Sequence, residues 1–210
     1  MRILFQGDSI TDTGWNRDND QFLGTGYPRF VEAALGLEEP GEHTFINRGI
    51  SGNRVVDLYA RIKRDIIALK PDVMSILIGI NDVWHDFAEV PNGVDAEKYF
   101  KIYDMLIEEI KAALPDIKIM ILEPFVLKAR ATDDETGEKW PKFRAEAEKR
   151  AEKAKMIAEK HNLPFVPLMD KFDEAAKKAP ADYWLFDGVH PTAKGHEIIK
   201  TEWLKAFRGM

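Results

Sequence analysis

Residues 2–12 read Arg2-Ile3-Leu4-Phe5-Gln6-Gly7-Asp8-Ser9-Ile10-Thr11-Asp12. Three consecutive apolar residues, Ile3 to Phe5, predict a buried strand, and the strand runs straight into a glycine, an acid and a hydroxyl. A serine at the carboxyl end of a first strand, behind a glycine that permits a sharp turn, stands where open α/β sheets bind their ligands. Four further apolar runs follow the first, so the strand candidates are Arg2–Gln6, Thr44–Asn47, Val73–Ile78, Ile117–Leu122 and Phe165–Pro167. Ile76-Leu77-Ile78 and Ile119-Met120-Ile121-Leu122 are unbroken, the pattern of parallel strands covered on both faces.

Between the strands lie helical patterns at Tyr27–Leu35, Arg54–Leu69, Asp95–Leu114, Trp140–Lys160, Asp170–Lys178 and Thr192–Phe207. Leu58, Ile62, Ile66 and Leu69 make one apolar face at helical spacing, and Phe143, Ala147, Ala151, Ala154 and Ile157 a narrower one. Pro71 and Pro115 each follow a helix and precede a strand, where they help to stop it. Strict alternation of β and α predicts a parallel sheet with right-handed crossovers. The expected fold is a three-layer, flavodoxin-like α/β sandwich with strand order 2-1-3-4-5, in a single domain spanning residues 1–210. Two connections are long: Gly7–Gly26, and the polar stretch Lys128–Lys139, which reads as lid-like.

Composition narrows the function. At 210 residues, 45% apolar and 31% charged, the chain has the makeup of a soluble globular protein with a sizeable core. A net charge of -6 argues against a nucleic-acid binder, which would carry a basic face. With no cysteine there is no disulfide, thiolate zinc site or thiol catalysis. Asp18 and Asp20 are too few and wrongly spaced for a calcium loop, and no HExxH pattern occurs, so neither metal nor cofactor is expected. No secretory signal or run of ~18–20 apolar residues is present, so a cytoplasmic protein with no membrane partner is expected.

Acyl transfer needs a nucleophile, a base, a group that orients the base, and donors for the developing oxyanion. Ser9 follows the first strand, Asn47-Arg48-Gly49-Ile50-Ser51-Gly52-Asn53 the second, and Gly79-Ile80-Asn81-Asp82 the third. In the expected order these strands are neighbours, so their loops converge. The N–H groups of Ser9 and Gly49 and the Asn81 amide can then face one oxygen. Asp187-Gly188-Val189-His190-Pro191 sets a carboxylate three residues before an imidazole, the spacing for an acid that orients a base. That turn must cross from the fifth strand, past the fourth, to reach Ser9. Asp8 reads as a turn stabiliser, and His43, His85, His161 and His196 read as structural.

GDSIT around Ser9, RGISGN around Gly49, GIND ending at Asn81-Asp82 and DGVHP with Asp187 and His190 resemble the four blocks of the SGNH hydrolases, the GDSL-type esterases. The blocks occur in the family's order and span the chain. The resemblance implies a catalytic triad of Ser9, His190 and Asp187, with an oxyanion hole from the Ser9 N–H, Gly49 and Asn81. GTGY at Gly24–Tyr27, the extension Asp82-Val83-Trp84 and the aromatics before the DxxHP turn resemble the intracellular acetylxylan esterases of that group. The ester would then be an acetyl group on a xylo-oligosaccharide, with Trp84, Trp184 and Trp15 as candidate faces for sugar rings. Two other readings stay open: a thioesterase or lysophospholipase with a long acyl groove, and a carbohydrate-binding scaffold whose serine is idle. The aromatics and long loops admit a homo-oligomer, with no interface signature to locate one.

Overall fold

All five apolar runs are strands in the computed structural model, which describes residues 1–210. They are β1 (Arg2–Gly7), β2 (Thr44–Asn47), β3 (Val73–Leu77), β4 (Lys118–Leu122) and β5 (Phe165–Val166). They form one parallel sheet in the order β2-β1-β3-β4-β5. The register sets Phe5 of β1 beside Asn47 of β2, and Gly7 beside Leu77 of β3. The carboxyl ends of these three strands therefore adjoin, and the loops that leave them share one edge of the sheet.

Side chains alternate between faces, which divides the core in two. Ile3, Phe5, Val73, Leu77, Met120 and Leu122 point into a cluster closed by helices α2 (Tyr27–Glu38) and α10 (Ala193–Phe207). Phe5 lies edge-on to Tyr27 at 5.7 Å and against Trp203 at 5.5 Å, which anchors the strand that leads to Ser9. Leu4, Met74, Ile76, Ile119 and Ile121 face the second cluster, covered by α3 (Val55–Ala60) and α6 (Ala96–Ala113). Helix α7 (Lys139–His161) gives Ala154 and Ile157 to the second cluster and Phe143, Ala147 and Ala151 to the first.

Caps fall where the sequence puts them. Asp95 Oδ1 accepts the N–H of Lys98 at 2.9 Å and starts α6; Thr192 accepts from Gly195 and starts α10 directly after Pro191. The expected helix over Arg54–Leu69 is instead three short pieces: α3, α4 (Ile62–Asp65) and a 3₁₀ turn at Ile67–Leu69. Arg61 leaves helical geometry at φ -111°, ψ 14°. Its guanidinium reaches away from the helix to Asn53 Oδ1, the Arg48 carbonyl and the Gly7 carbonyl, binding the break to the loops above the sheet. The apolar face survives, with Leu58, Ile62 and Ile66 buried. Short helices α1 (Ser9–Asp12), α5 (Ile80–Trp84), α8 (Met169–Ala176) and α9 (Ala181–Trp184) complete the chain. No helix is long and apolar enough to cross a membrane.

Candidate active site

Ser9 is the first residue of α1, immediately beyond β1. A Cβ on Gly7 would fall 2.4 Å from the Leu77 carbonyl oxygen and 2.4 Å from Thr11 Oγ1, so the glycine answers a lack of space at the strand end. Asp8 is the cap of this turn, its Oδ1 accepting the Ile10 N–H at 3.0 Å. Burial pushes its carboxyl up to about 7, because Oδ2 is enclosed without a partner.

The Asp187–His190 turn does reach across the sheet. Ser9 Oγ lies 2.9 Å from His190 Nε2, and His190 Nδ1 lies 2.7 Å from Asp187 Oδ2. Asp187 Oδ1 accepts the N–H groups of Val189 and His190 at 2.9 and 2.8 Å, so both oxygens of the carboxylate are fixed. Burial disfavours the charged carboxylate, but these three hydrogen bonds outweigh it and hold Asp187 below its ordinary value. The hydrogen bond and charge of Asp187 in turn raise the pKa of His190. With Nδ1–H committed to Asp187, Nε2 is left to accept the Ser9 hydroxyl proton.

The Lys128–Lys139 stretch is tied in as a buttress to this turn, where a lid was expected. Leu127 N–H bonds the Gly188 carbonyl at 2.9 Å, Ala131 N–H bonds the Asp187 carbonyl at 3.0 Å, and Thr132 is wholly buried.

Gly49 does not have the free N–H expected of an oxyanion donor. That N–H goes to Asn47 Oδ1 at 2.8 Å, and the Gly49 carbonyl accepts Trp15 Nε1 at 2.7 Å and Arg17 at 3.1 Å. A Cβ there would sit 2.3 Å from the backbone nitrogen of Asp12, so Gly49 is a packing point between two loops. Three residues on, Gly52 has φ +82° and open space around its Cβ position, and its N–H meets no protein acceptor. Its flanks are pinned. Asp12 Oδ2 accepts both the N–H and the Oγ–H of Ser51, at 3.0 and 2.9 Å, as well as Arg17. Asn81 Nδ2 donates to the Asn53 carbonyl at 3.1 Å, and the Val55 N–H is shared by the two oxygens of Asp82. Burial pushes Asp82 up to about 8. Two buried carboxyl groups therefore clamp residues 51–55 from both ends, next to Ser9 and Asn81.

A model of the GDSL-like lipase/acylhydrolase family matches residues 5–198 of the chain. The chain belongs to that family. Among its relatives is an acetylxylan esterase of Geobacillus stearothermophilus, 34% identical over 211 residues that cover 97% of this chain and 92% of that protein. A GDSL-like protein of Parabacteroides merdae superposes with a TM-score of 0.90 at 37% identity, over 98% of this chain and 94% of that one. The Geobacillus acetylxylan esterase Axe2 superposes with a TM-score of 0.85 at 35% identity, over 98% and 93%.

In this GDSL-family site a cleft of about 650 Å³ opens over Ser9 and His190, lined by polar and apolar side chains together. Thr13, Thr25, Ser51, Phe186, Pro191 and His196 are among its lining residues. The three tryptophans offered as sugar platforms lie elsewhere. Trp15 is buried, donates to Gly49 and has the guanidinium groups of Arg17 and Arg48 over its ring at 4.1 and 4.9 Å. Trp84 packs its ring against His190 at 5.7 Å and Phe143 at 6.3 Å and is not among the residues lining the cleft. Trp184 is half-buried with its Nε1 enclosed, and its carbonyl accepts the Thr192 N–H. The exposed aromatic at the cleft is Phe186, which stacks on His190 at 5.6 Å and 22°. It stands immediately before Asp187, among the aromatics that precede the DxxHP turn, and is not one of the three tryptophans. His196, taken as structural, is buried yet forms part of the cleft wall.

Proposed function

We propose that this GDSL-family chain is a serine carboxylester hydrolase that releases acetyl groups from carbohydrates, with acetylated xylo-oligosaccharides as its substrate class. The observation that carries the reading is the unbroken hydrogen-bond chain Ser9 Oγ–His190–Asp187, at 2.9 and 2.7 Å. Ser9 Oγ attacks the acyl carbonyl while His190 Nε2 takes its proton; Asp187 holds the ring and stabilises the imidazolium. The tetrahedral oxyanion receives the Ser9 N–H, which meets no protein acceptor, the Gly52 N–H and the Asn81 amide. His190 then protonates the leaving alcohol, and a water deprotonated by His190 releases acetate from the acyl-enzyme.

Two things favour acetyl over a long acyl chain. Phe186 is the one large apolar side chain among the cleft's lining residues, where a fatty chain would need a long groove of them. The Geobacillus relative is an acetylxylan esterase that matches this chain over nearly its whole length. The test is hydrolysis of acetyl, butyryl and octanoyl esters of one alcohol, together with acetate release from acetylated xylo-oligosaccharides, pectin fragments and simple acetyl sugars. The reading expects kcat/KM to fall steeply with chain length and acetate to appear from the xylo-oligosaccharides. A preference for octanoyl would sink it and favour the thioesterase or lysophospholipase alternative.

A further inference from the structure

Among the polar side chains of the cleft that the triad and the oxyanion donors leave without a role is a second histidine. His196 lies in the first turn of α10, six residues beyond His190, and is only 5% exposed. Its Nδ1 accepts the N–H of Tyr27 at 3.1 Å, one of the unpaired donors at the start of α2. A ring nitrogen that accepts carries no proton, so the proton of the neutral ring sits on Nε2. The ring is held on two sides, lying along Tyr27 at 6.5 Å and edge-on to Phe30 at 6.3 Å. The Gly24-Thr25-Gly26 segment completes the socket, since a Cβ on Gly26 would come within 2.9 Å of His196 Cε1. Burial pushes the imidazole down to about 4, so it stays neutral at ordinary pH.

The opposite edge of the ring, Nε2–H, meets no protein acceptor and is not enclosed, and the ring forms part of the cleft that contains Ser9 and His190. His190 delivers its proton to the leaving alcohol. The alcohol half of the ester leaves through the cleft that His190 and His196 both line. We propose that His196 Nε2–H is a hydrogen-bond donor to the alcohol half of the substrate, taking a hydroxyl or ring oxygen, and that it sets a preference for esters of polyhydroxy alcohols. The assignment rests on the serine-esterase reading above and adds to it a specificity-determining residue.

The experiment compares kcat/KM for glycerol monoacetate and ethyl acetate in the wild-type enzyme, His196→Asn and His196→Gln. Asparagine can keep an acceptor for Tyr27 N–H but stops short of the cleft; glutamine extends an amide towards the position of Nε2. The ratio of glycerol monoacetate to ethyl acetate should drop about 2- to 10-fold in His196→Asn, the size of one hydrogen bond between uncharged groups, and recover in His196→Gln. An unchanged ratio in His196→Asn overturns the proposal. A measurement that needs no change at His196 is the ¹⁵N imidazole spectrum of the Ser9→Ala enzyme. The His196 Nε2–H signal should move on addition of glycerol monoacetate and stay still with ethyl acetate; no movement with either overturns the proposal. Failure of the esterase reading looks different, because the wild-type enzyme would then turn over neither ester while the spectrum still reports on His196.

Discussion

Asn81→Ala separates transition-state stabilisation from folding at this site. The Asn81 amide has two N–H groups: one bonds the Asn53 carbonyl at 3.1 Å, and the other is the donor assigned to the oxyanion. Deleting one such donor costs about 2.7–4 kcal/mol of transition-state stabilisation, or about 10²–10³ in kcat. The fold loses only the bond to Asn53, about 1 kcal/mol net. Against a typical stability of about 5–15 kcal/mol the protein stays folded, and a chain of this size should lose about 2–4 °C in Tm. Because the oxyanion forms only in the transition state, kcat and kcat/KM should fall together with KM nearly constant. The assay is steady-state hydrolysis of an aryl acetate beside a thermal melt of the same sample. A loss below tenfold with the melt intact, or a change confined to KM, would refute the assignment of Asn81.

Three other outcomes follow from the same geometry. Since Asp187 holds the pKa of His190 above its ordinary value and only the neutral ring can accept the Ser9 proton, kcat/KM should rise with pH through a midpoint above about 6.5. In Asp187→Asn the residual activity should show a lower midpoint, and an unmoved midpoint would detach Asp187 from His190. Gly49→Ala forces a Cβ to 2.3 Å from the Asp12 backbone, whereas Gly52→Ala meets open space and bears only left-handed strain of about 1–2 kcal/mol, so melts should rank Gly49→Ala as the less stable. The reverse order would show that the two glycines have been assigned the wrong way round. Asp12→Ala removes two hydrogen bonds to Ser51 and should cost about 1–3 kcal/mol of stability and lower kcat by loosening residues 51–55; wild-type kcat in a folded variant would remove the clamp from the account.

Much of this was legible in the chain. Short apolar runs marked the strands, and alternation with helices led to the sheet order that is observed. Ser9, Asp187 and His190 were found from short blocks, and the structure brings all three within hydrogen-bond distance. What escaped depends on side chains that reach between distant segments. Gly49 and Gly52 stand three apart in one motif, and the difference between them lies in Asn47, whose Oδ1 takes the Gly49 N–H. An Asn two residues before a glycine is an Asx-turn signal, so that distinction was open to a closer reading. The break at Arg61 had no such signal, because it follows from bonds to Gly7, Arg48 and Asn53 in other loops. Trp15 likewise owes its enclosure to Arg48, which arrives from beyond β2. Four- and five-residue helices such as α1, α5 and α9 are too short to show a period at all.

Covalent labelling with a fluorophosphonate tests the central claim, that Ser9 is a nucleophile activated by His190, most directly. The folded enzyme should gain the mass of one phosphonyl group, peptide mapping should place it on Ser9, and Ser9→Ala should take up none. His190→Ala should label far more slowly than the wild-type chain. A folded enzyme that hydrolyses an aryl acetate yet carries no label, or carries it on another residue, would contradict the account.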